Sequence, residues 1–154
     1  MKETKRDGLI LKPADSADME LLFRWVNDDR VRENAFHKEK ISFEEHQKWF
    51  FDLLRDKRQN QYILYQDREP VGQIRLYICG GVAEIDYSIA PEKREQGYGR
   101  MLIGMIQNKI RDEFPETKKL VAKVRPSNMA SICCFEKNGF CEVYRQYEFD
   151  IANG

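Results

Sequence analysis

Ala83-Glu-Ile-Asp-Tyr-Ser-Ile-Ala-Pro-Glu-Lys-Arg-Glu-Gln-Gly-Tyr-Gly-Arg100 begins as an alternating strand and becomes a basic, glycine-punctuated loop that opens into the apolar-periodic stretch Met101 to Ile110. A strand, loop and helix in this order bring helix N-terminal N–H groups, and the positive end of the helix dipole, to the loop. That is a site for phosphate. Gly97 and Gly99 permit close backbone approach and positive φ, and Arg94 and Arg100 add full positive charge. Two glycines are equally compatible with an ordinary strand-to-helix turn. The segment has neither the Gly-Lys-Ser/Thr of a nucleoside-triphosphate loop nor the third glycine of a dinucleotide fingerprint. It therefore implies a phosphate-bearing cofactor of another kind.

The rest of the chain sets the bounds. Its 154 residues suit one domain, 1–154, with a sizeable core. Twenty-six Lys and Arg balance 26 Asp and Glu, where a nucleic-acid binder would show a basic excess. No apolar run approaches a membrane span, and Met1-Lys-Glu-Thr-Lys-Arg-Asp7 lacks a signal-peptide core, so the expected location is cytoplasmic. Cys79, Cys133, Cys134 and Cys141 contain no Cys-x-x-Cys pair and have only His37 and His46 for company, so no metal site is expected. They read as reduced, mostly buried thiols.

An alternating order of elements follows. Gly8 to Lys12 is a short strand, and Asp15 caps a helix carrying Met19, Leu22, Phe23 and Val26 at helical spacing. Asn27 to Lys40 has no strong period and reads as a substrate loop. Ser42-Phe-Glu-Glu45 is a capping box for a second helix with Trp49, Phe50, Leu53 and Leu54 on one side. Tyr62 to Tyr65, Val71 to Ile78 and Ala83 to Ala90 form a meander turning at Asp67–Pro70 and Gly80-Gly81. Met101, Leu102, Met105, Ile106 and Ile110 form the core stripe of the next helix, which ends near Phe114-Pro115. Leu120 to Val124 is a strand, Met129 to Asn138 a short helix stopped by Gly139, and Phe140 to Ile151 a terminal strand or abbreviated hairpin. The fold class is α/β, a mixed sheet with helices on both faces.

Arg94-Glu95-Gln96-Gly97-Tyr98-Gly99 resembles the pyrophosphate loop of GNAT-type acetyl-coenzyme A N-acetyltransferases. Asn128-Met-Ala-Ser131-Ile-Cys-Cys-Phe135-Glu-Lys137-Asn-Gly139-Phe140 resembles that family's second motif. The resemblance spans nearly the whole chain and implies a splayed, mostly antiparallel sheet with acetyl-CoA in the gap between central strands. It implies that the backbone of Ser88, Ile89 and Ala90 pairs with pantetheine, that Arg94 through Arg100 hold the pyrophosphate, that Asn128 touches the pantetheine or helps shape the cleft, and that Phe135 lies against the cofactor. Asn128 equally reads as the cap of the following helix. Glu84 stands where the family often places its general base, with Asp86, on the same strand face, as the alternative. Many members carry tyrosine at the position of Phe135 as donor to the departing thiolate. Tyr87, Tyr98, Cys133, Cys134 or water would then serve instead. A cysteine nucleophile lacks a neighbouring histidine to activate it.

For the acceptor, Phe23-Arg-Trp25-Val-Asn27, Val31-Arg32, Phe36 and Ile41-Ser-x-Glu-Glu45-His46-x-x-Trp49 resemble aminosugar N-acetyltransferases, particularly the nucleotide-sugar enzyme of the pseudaminic acid pathway. Ribosomal-protein N-terminal acetyltransferases share a looser version. Phe36 is a candidate to stack on a nucleotide base, and Arg30 or Arg32 to meet its phosphates. Tyr87, His46 and Trp49 are candidates for the acceptor pocket, with an exposed helix position as the alternative for His46 and helix core for Trp49. Three readings stand: transfer to a UDP-linked aminosugar, transfer to a polypeptide amine, and a silent acyl-CoA-binding module. Monomer and homodimer are both compatible with the sequence.

Overall fold

The computed structural model describes residues 7–152; most of the N-terminal segment read for a signal peptide lies outside them. Five strands, β1 (Leu9–Pro13), β2 (Gln59–Gln66), β3 (Glu69–Cys79), β4 (Val82–Ile89) and β5 (Lys119–Ala122), lie in that spatial order. All neighbours are antiparallel except β4 and β5, which run parallel. Their pairing covers only Val82 to Ile85, so β4 continues past the end of the β5 ladder and the sheet opens there. Two-residue turns at Asp67-Arg68 and Gly80-Gly81, all four residues at positive φ, build the meander.

Period-two alternation gives the sheet two different faces. One carries Tyr62, Leu64, Ile74, Leu76, Ala83 and Ile85 against α4 (Tyr98–Glu113) and α5 (Met129–Lys137). On α4 the buried stripe is Leu102, Ile103, Ile106 and Ile110, and the helix begins three residues earlier than its apolar period indicates, enclosing Tyr98 and Gly99. The other face receives α1 (Met19–Val26) and α3 (Phe43–Arg55), where Leu22, Trp25, Phe50 and Leu53 cover Ile63 and Ala90. Ser42 caps α3 by accepting from the Glu45 N–H, as its sequence indicates.

Several expectations are corrected. The stretch read as an aperiodic loop contains α2 (Asp29–Asn34), capped by Asp28, whose carboxylate accepts from the Val31 N–H. His46 is not an exposed helix residue. It is 2 % exposed, among the rings of Phe23, Trp49 and Phe50, with Nε2 3.2 Å from the Met19 carbonyl. Trp49, by contrast, is partly exposed rather than core. Cys79, Cys133 and Cys141 are exposed, and only Cys134 is half-buried. Phe140 to Ile151 forms no strand of the sheet.

Burial holds the His46 imidazole below its ordinary pKa, against the opposing pull of the Met19 carbonyl. The unfolded chain then binds the proton more readily than the folded one. This contribution to stability is complete above about pH 6.5 and is lost as the pH falls below it. His46→Phe keeps a ring in the cage but leaves the Met19 carbonyl without its partner, costing about 1 kcal/mol at neutral pH. The variant is expected to melt lower than wild type at about pH 7.5 and to lose less on acidification to about pH 5. Thermal melts at the two pH values check this, and parallel losses would count against it.

Candidate active site

Gly72 to Cys79 and Val82 to Ile89 are in antiparallel register. The Ala90 N–H donates to the Val71 carbonyl, which fixes the sense of the ladder. Strand alternation then turns the main-chain groups of Ser88 toward β3 and those of Tyr87 and Ile89 toward the β5 side, where pairing has already ended. Of the three residues expected to offer backbone to a pantetheine arm, Ile89 alone presents it to the gap. Tyr87 joins it. Sequence reasoning missed this because the phase of the alternation depends on which neighbour stops first.

At the mouth of the gap, Pro91 to Lys93 make one 3-10 turn, Glu95 lies at φ 63° and Gly97 at φ 85°, and α4 starts at Tyr98. No side chain caps this helix, and Met101 is bonded back to the Gly97 carbonyl. The first turn thus presents N–H groups and the dipole's positive end to an anion. Positive φ explains Gly97. Gly99 has a different reason: a Cβ there would lie 3.1 Å from Cys134 Sγ and 3.5 Å from the Tyr87 ring, so its lack of a side chain serves α4–α5–β4 packing. Arg94 is tied to a residue far away in the chain. Its guanidinium is bonded to the Asp28 carboxylate, with both side chains largely buried, so its charge is compensated before it reaches the loop.

Asn128 caps α5 through its Oδ1, which accepts from the Ser131 N–H at 3.2 Å. Phe135 is buried, its ring edge-on to Tyr87 at 5.6 Å and to Phe140 at 5.0 Å. The Tyr87 hydroxyl lies 2.7 Å from Ser131 Oγ, and burial pushes its phenol pKa strongly up against the opposing Ser131 bond. Burial likewise pushes the neighbouring Cys134 thiol up, away from thiolate.

On the opposite sheet face, Gln59, Arg75, Tyr77, Glu84, Ile85 and Asp86 line a cleft of about 270 Å³. Glu84 is a solvent-reached carboxylate, its side chain 43 % exposed and Oε1 3.6 Å from Lys123 Nζ. Asp86 pairs with Arg75 at 3.1 Å, and Arg75 in turn stacks over Trp49 at 5.1 Å. Below the cleft, a polar row runs from Gln61 through Gln73 to Ser88 Oγ. Arg30 is exposed on α2, whereas Arg32 is half-buried, feels the Asp86 charge, and holds the His37 and Glu39 carbonyls. Arg125 bonds the Ala35 and Phe36 carbonyls and stacks on the exposed Phe36 ring at 4.9 Å, bringing residues 35 and 36 beside the segment that follows β5. His46 lies in the helix layer, buried, with its Nε2 beside the Met19 carbonyl and away from the cleft lining.

No three His, Cys, Asp or Glu side chains gather as for a metal ion, and no helix is long and apolar enough to cross a membrane, among the described residues. Residues 8–141 match the Acetyltransferase (GNAT) domain. The chain is 27% identical to the acetyltransferase PseH of Campylobacter jejuni, over 81% of this chain and 78% of that protein. It is 23% identical to aminoglycoside N(6')-acetyltransferase type 1 of Klebsiella pneumoniae, over 87% and 74%. Its fold superposes on spermidine N-acetyltransferase from Vibrio cholerae, solved with CoA and spermine, with TM-score 0.83, 20% identity, and coverage of 90% and 84%. The open β4–β5 gap and uncapped α4 terminus therefore belong to a GNAT-family acetyltransferase, an enzyme that uses acetyl-CoA as co-substrate to acetylate an amine.

Proposed function

We propose that this enzyme acetylates the amino group of an aminosugar, with a nucleotide-linked aminodeoxysugar as its acceptor. The observation that carries this reading is the composition of the cleft around Glu84. Gln59, Arg75, Tyr77 and Asp86 offer both donors and acceptors beside the Trp49 and Tyr77 rings, a combination suited to sugar hydroxyls and the apolar face of a pyranose. Arg75 and Lys123 set cations among the carboxylates, which disfavours a linear polyamine. The aminoglycoside acetyltransferase relative supports a sugar amine. Arg32, Arg125 and the exposed face of Phe36 supply the rim with charge and a stacking surface for a nucleotide.

In this reading the α4 N-terminus and Arg100 hold the pyrophosphate, and Tyr87 and Ile89 present main chain to the pantetheine amides. Glu84 accepts the ammonium proton through water, leaving the nitrogen lone pair to form the new C–N bond as the thioester C–S bond breaks. Tyr87, with its raised phenol, donates a hydrogen bond to the departing sulfur, and the proton itself comes from water. A thiol pKa near ~8.5 makes that last step undemanding at neutral pH. Cysteine-based ping-pong finds no support in a thiol that burial holds protonated.

Coenzyme A release is to be measured with UDP-aminosugars, aminoglycosides, polyamines and peptides. Turnover is expected with amino-sugar acceptors and highest with a nucleotide-linked one. Turnover confined to polyamines or peptides would overturn the acceptor assignment, and acetyl-CoA binding without any turnover would indicate the silent module.

A further inference from the structure

Three polar side chains cross the sheet on the face that receives α1 and α3: Gln61 on β2, Gln73 on β3 and Ser88 on β4. Gln73 lies directly opposite Ser88 in the ladder, and Gln61 lies diagonally from Gln73. Gln61 has the least freedom of the three. It is 7 % exposed, and its Nε2 lies 3.2 Å from the Ile74 carbonyl, 3.3 Å from the Tyr62 carbonyl and 2.7 Å from Gln73 Oε1. Main-chain carbonyls only accept, so the amide atom that faces two of them must be the nitrogen. The atom it meets on Gln73 is then the carbonyl oxygen, which turns Gln73 Nε2 to Ser88 Oγ at 3.2 Å. Ser88 therefore accepts this bond and keeps its own hydrogen to donate. Among the described residues, no acceptor receives that hydrogen.

The position of Ser88 gives this direction a use. In the arrangement proposed above, the thioester lies beside Tyr87 and the amine arrives from the sheet face that carries Glu84. Strand alternation sets Asp86 and Ser88 on that same face, one on each side of Tyr87. Asp86 is engaged by Arg75 at 3.1 Å, whereas the half-buried Ser88 has an unused donor.

We propose that Ser88 is a specificity-determining residue whose hydroxyl donates to an acceptor oxygen on the carbon adjacent to the amine-bearing one, with Gln61 and Gln73 as positioning residues that hold it as the donor. The acceptor class is therefore a 1,2-amino alcohol or an α-amino carbonyl compound. A second ammonium at that place would set donor against donor, and a bare methylene would leave the hydroxyl without its partner. The inference rests on the placement of the acceptor in the Glu84 cleft, but it does not require the acceptor to be a sugar.

The test is coenzyme A release by wild type, Ser88→Ala, Gln73→Glu and the double variant, with UDP-glucosamine, a peptide bearing a free N-terminus, and spermidine, which has no oxygen. Wild type is expected to prefer an oxygen-bearing acceptor. Ser88→Ala should raise KM for that acceptor about tenfold while kcat changes little, because the bond is made alike in the ground and transition states. Acetyl-CoA affinity should hold, since the main chain of Ser88 faces β3. In Gln73→Glu the new carboxylate accepts from both neighbours and draws the Ser88 hydrogen to itself, so KM should rise similarly with the serine still in place. The double variant should then be no worse than either single one. An unchanged KM in Ser88→Ala, or additive losses in the double variant, would overturn the inference and leave the sugar reading standing. Preference for the peptide, with the KM effects as stated, would overturn the sugar reading and leave the role of Ser88 standing. Preference for spermidine, or turnover of none of the three, would overturn both.

Discussion

Glu84→Gln is expected to lower kcat for acetyl transfer by on the order of 10²–10⁴ at neutral pH, the range for loss of a positioned general base. The substitution preserves the size of the side chain and its place on β4, opposite Tyr77 and facing the cleft, so acetyl-CoA affinity should hold. The deficit should depend on pH in a definite sense. An amine flanked by electron-withdrawing carbons titrates nearer the ~8 of an α-amino group than the ~10.4 of lysine. Below that value most acceptor is ammonium and needs a base; above it the neutral amine is already present. The variant should therefore recover toward wild type as the pH rises. Rate–pH profiles of both proteins, with acetyl-CoA binding measured separately, check this. An unchanged profile would remove Glu84 as base and pass the role to Asp86. That carboxylate is a poorer candidate because Arg75 engages it at 3.1 Å, and Asp86→Asn would free the Arg75 guanidinium over Trp49 as well as remove a base.

The elements that position this carboxylate are legible in the sequence wherever a local rule decides them. The Ser42 cap, the Gly80-Gly81 turn and the alternation of β4 all depend on residues within one turn or one strand of each other. What escapes depends on contacts far apart in the chain. Arg94 reads as a free cation beside a glycine loop, but its partner Asp28 lies 66 positions away, at the start of a helix whose six residues have too little apolar period to announce it. His46 reads as a surface histidine because its cage takes Phe23 from α1 as well as Trp49 and Phe50 from its own helix. The carboxylate on β4 is visible as such, whereas its exposure follows from a cleft that only the pairing of β2, β3 and β4 creates.

The Asp28–Arg94 pair also ties α2 to the loop that precedes α4. Asp28 caps α2, α2 carries Arg32, and Arg32 holds the backbone at His37 and Glu39. A carboxylate that fixes Arg94, ahead of the Gly97 turn, thus also fixes the start of α2 and, through Arg32, the backbone at residues 37 and 39. Burial acts to raise the Asp28 pKa, but the Arg94 bond, the Val31 N–H and the Arg94 charge outweigh it, and the group is held below its ordinary value. Arg94 is thus engaged with Asp28, which leaves the α4 terminus as the place we propose for the anion.

Gly97→Val tests that assignment. Gly97 holds φ 85°, and a Cβ built there meets nothing nearer than Met101 Cε at 3.8 Å, so space is available and conformation is the obstacle. A left-handed backbone costs an ordinary residue about 1–3 kcal/mol, with a β-branched one at the upper end. The loop can relieve that strain by leaving the conformation that aims the α4 N–H groups at a phosphate, so acetyl-CoA should bind roughly ten- to a hundredfold more weakly. Gly97→Asn is the discriminating control, because asparagine visits the left-handed region readily and should retain most of the affinity. Gly99→Ala separates loop conformation from packing. Its Cβ would press on Cys134 Sγ at 3.1 Å inside the α4–α5 contact, and the expected loss is in melting temperature before affinity. Calorimetric titration with acetyl-CoA, alongside thermal melts of the three variants, reads the two effects apart. Normal affinity in Gly97→Val would mean that the phosphate is held elsewhere than at the start of α4. Equal losses in the valine and asparagine variants would mean that any side chain at this position obstructs the ligand and that φ is not the cause.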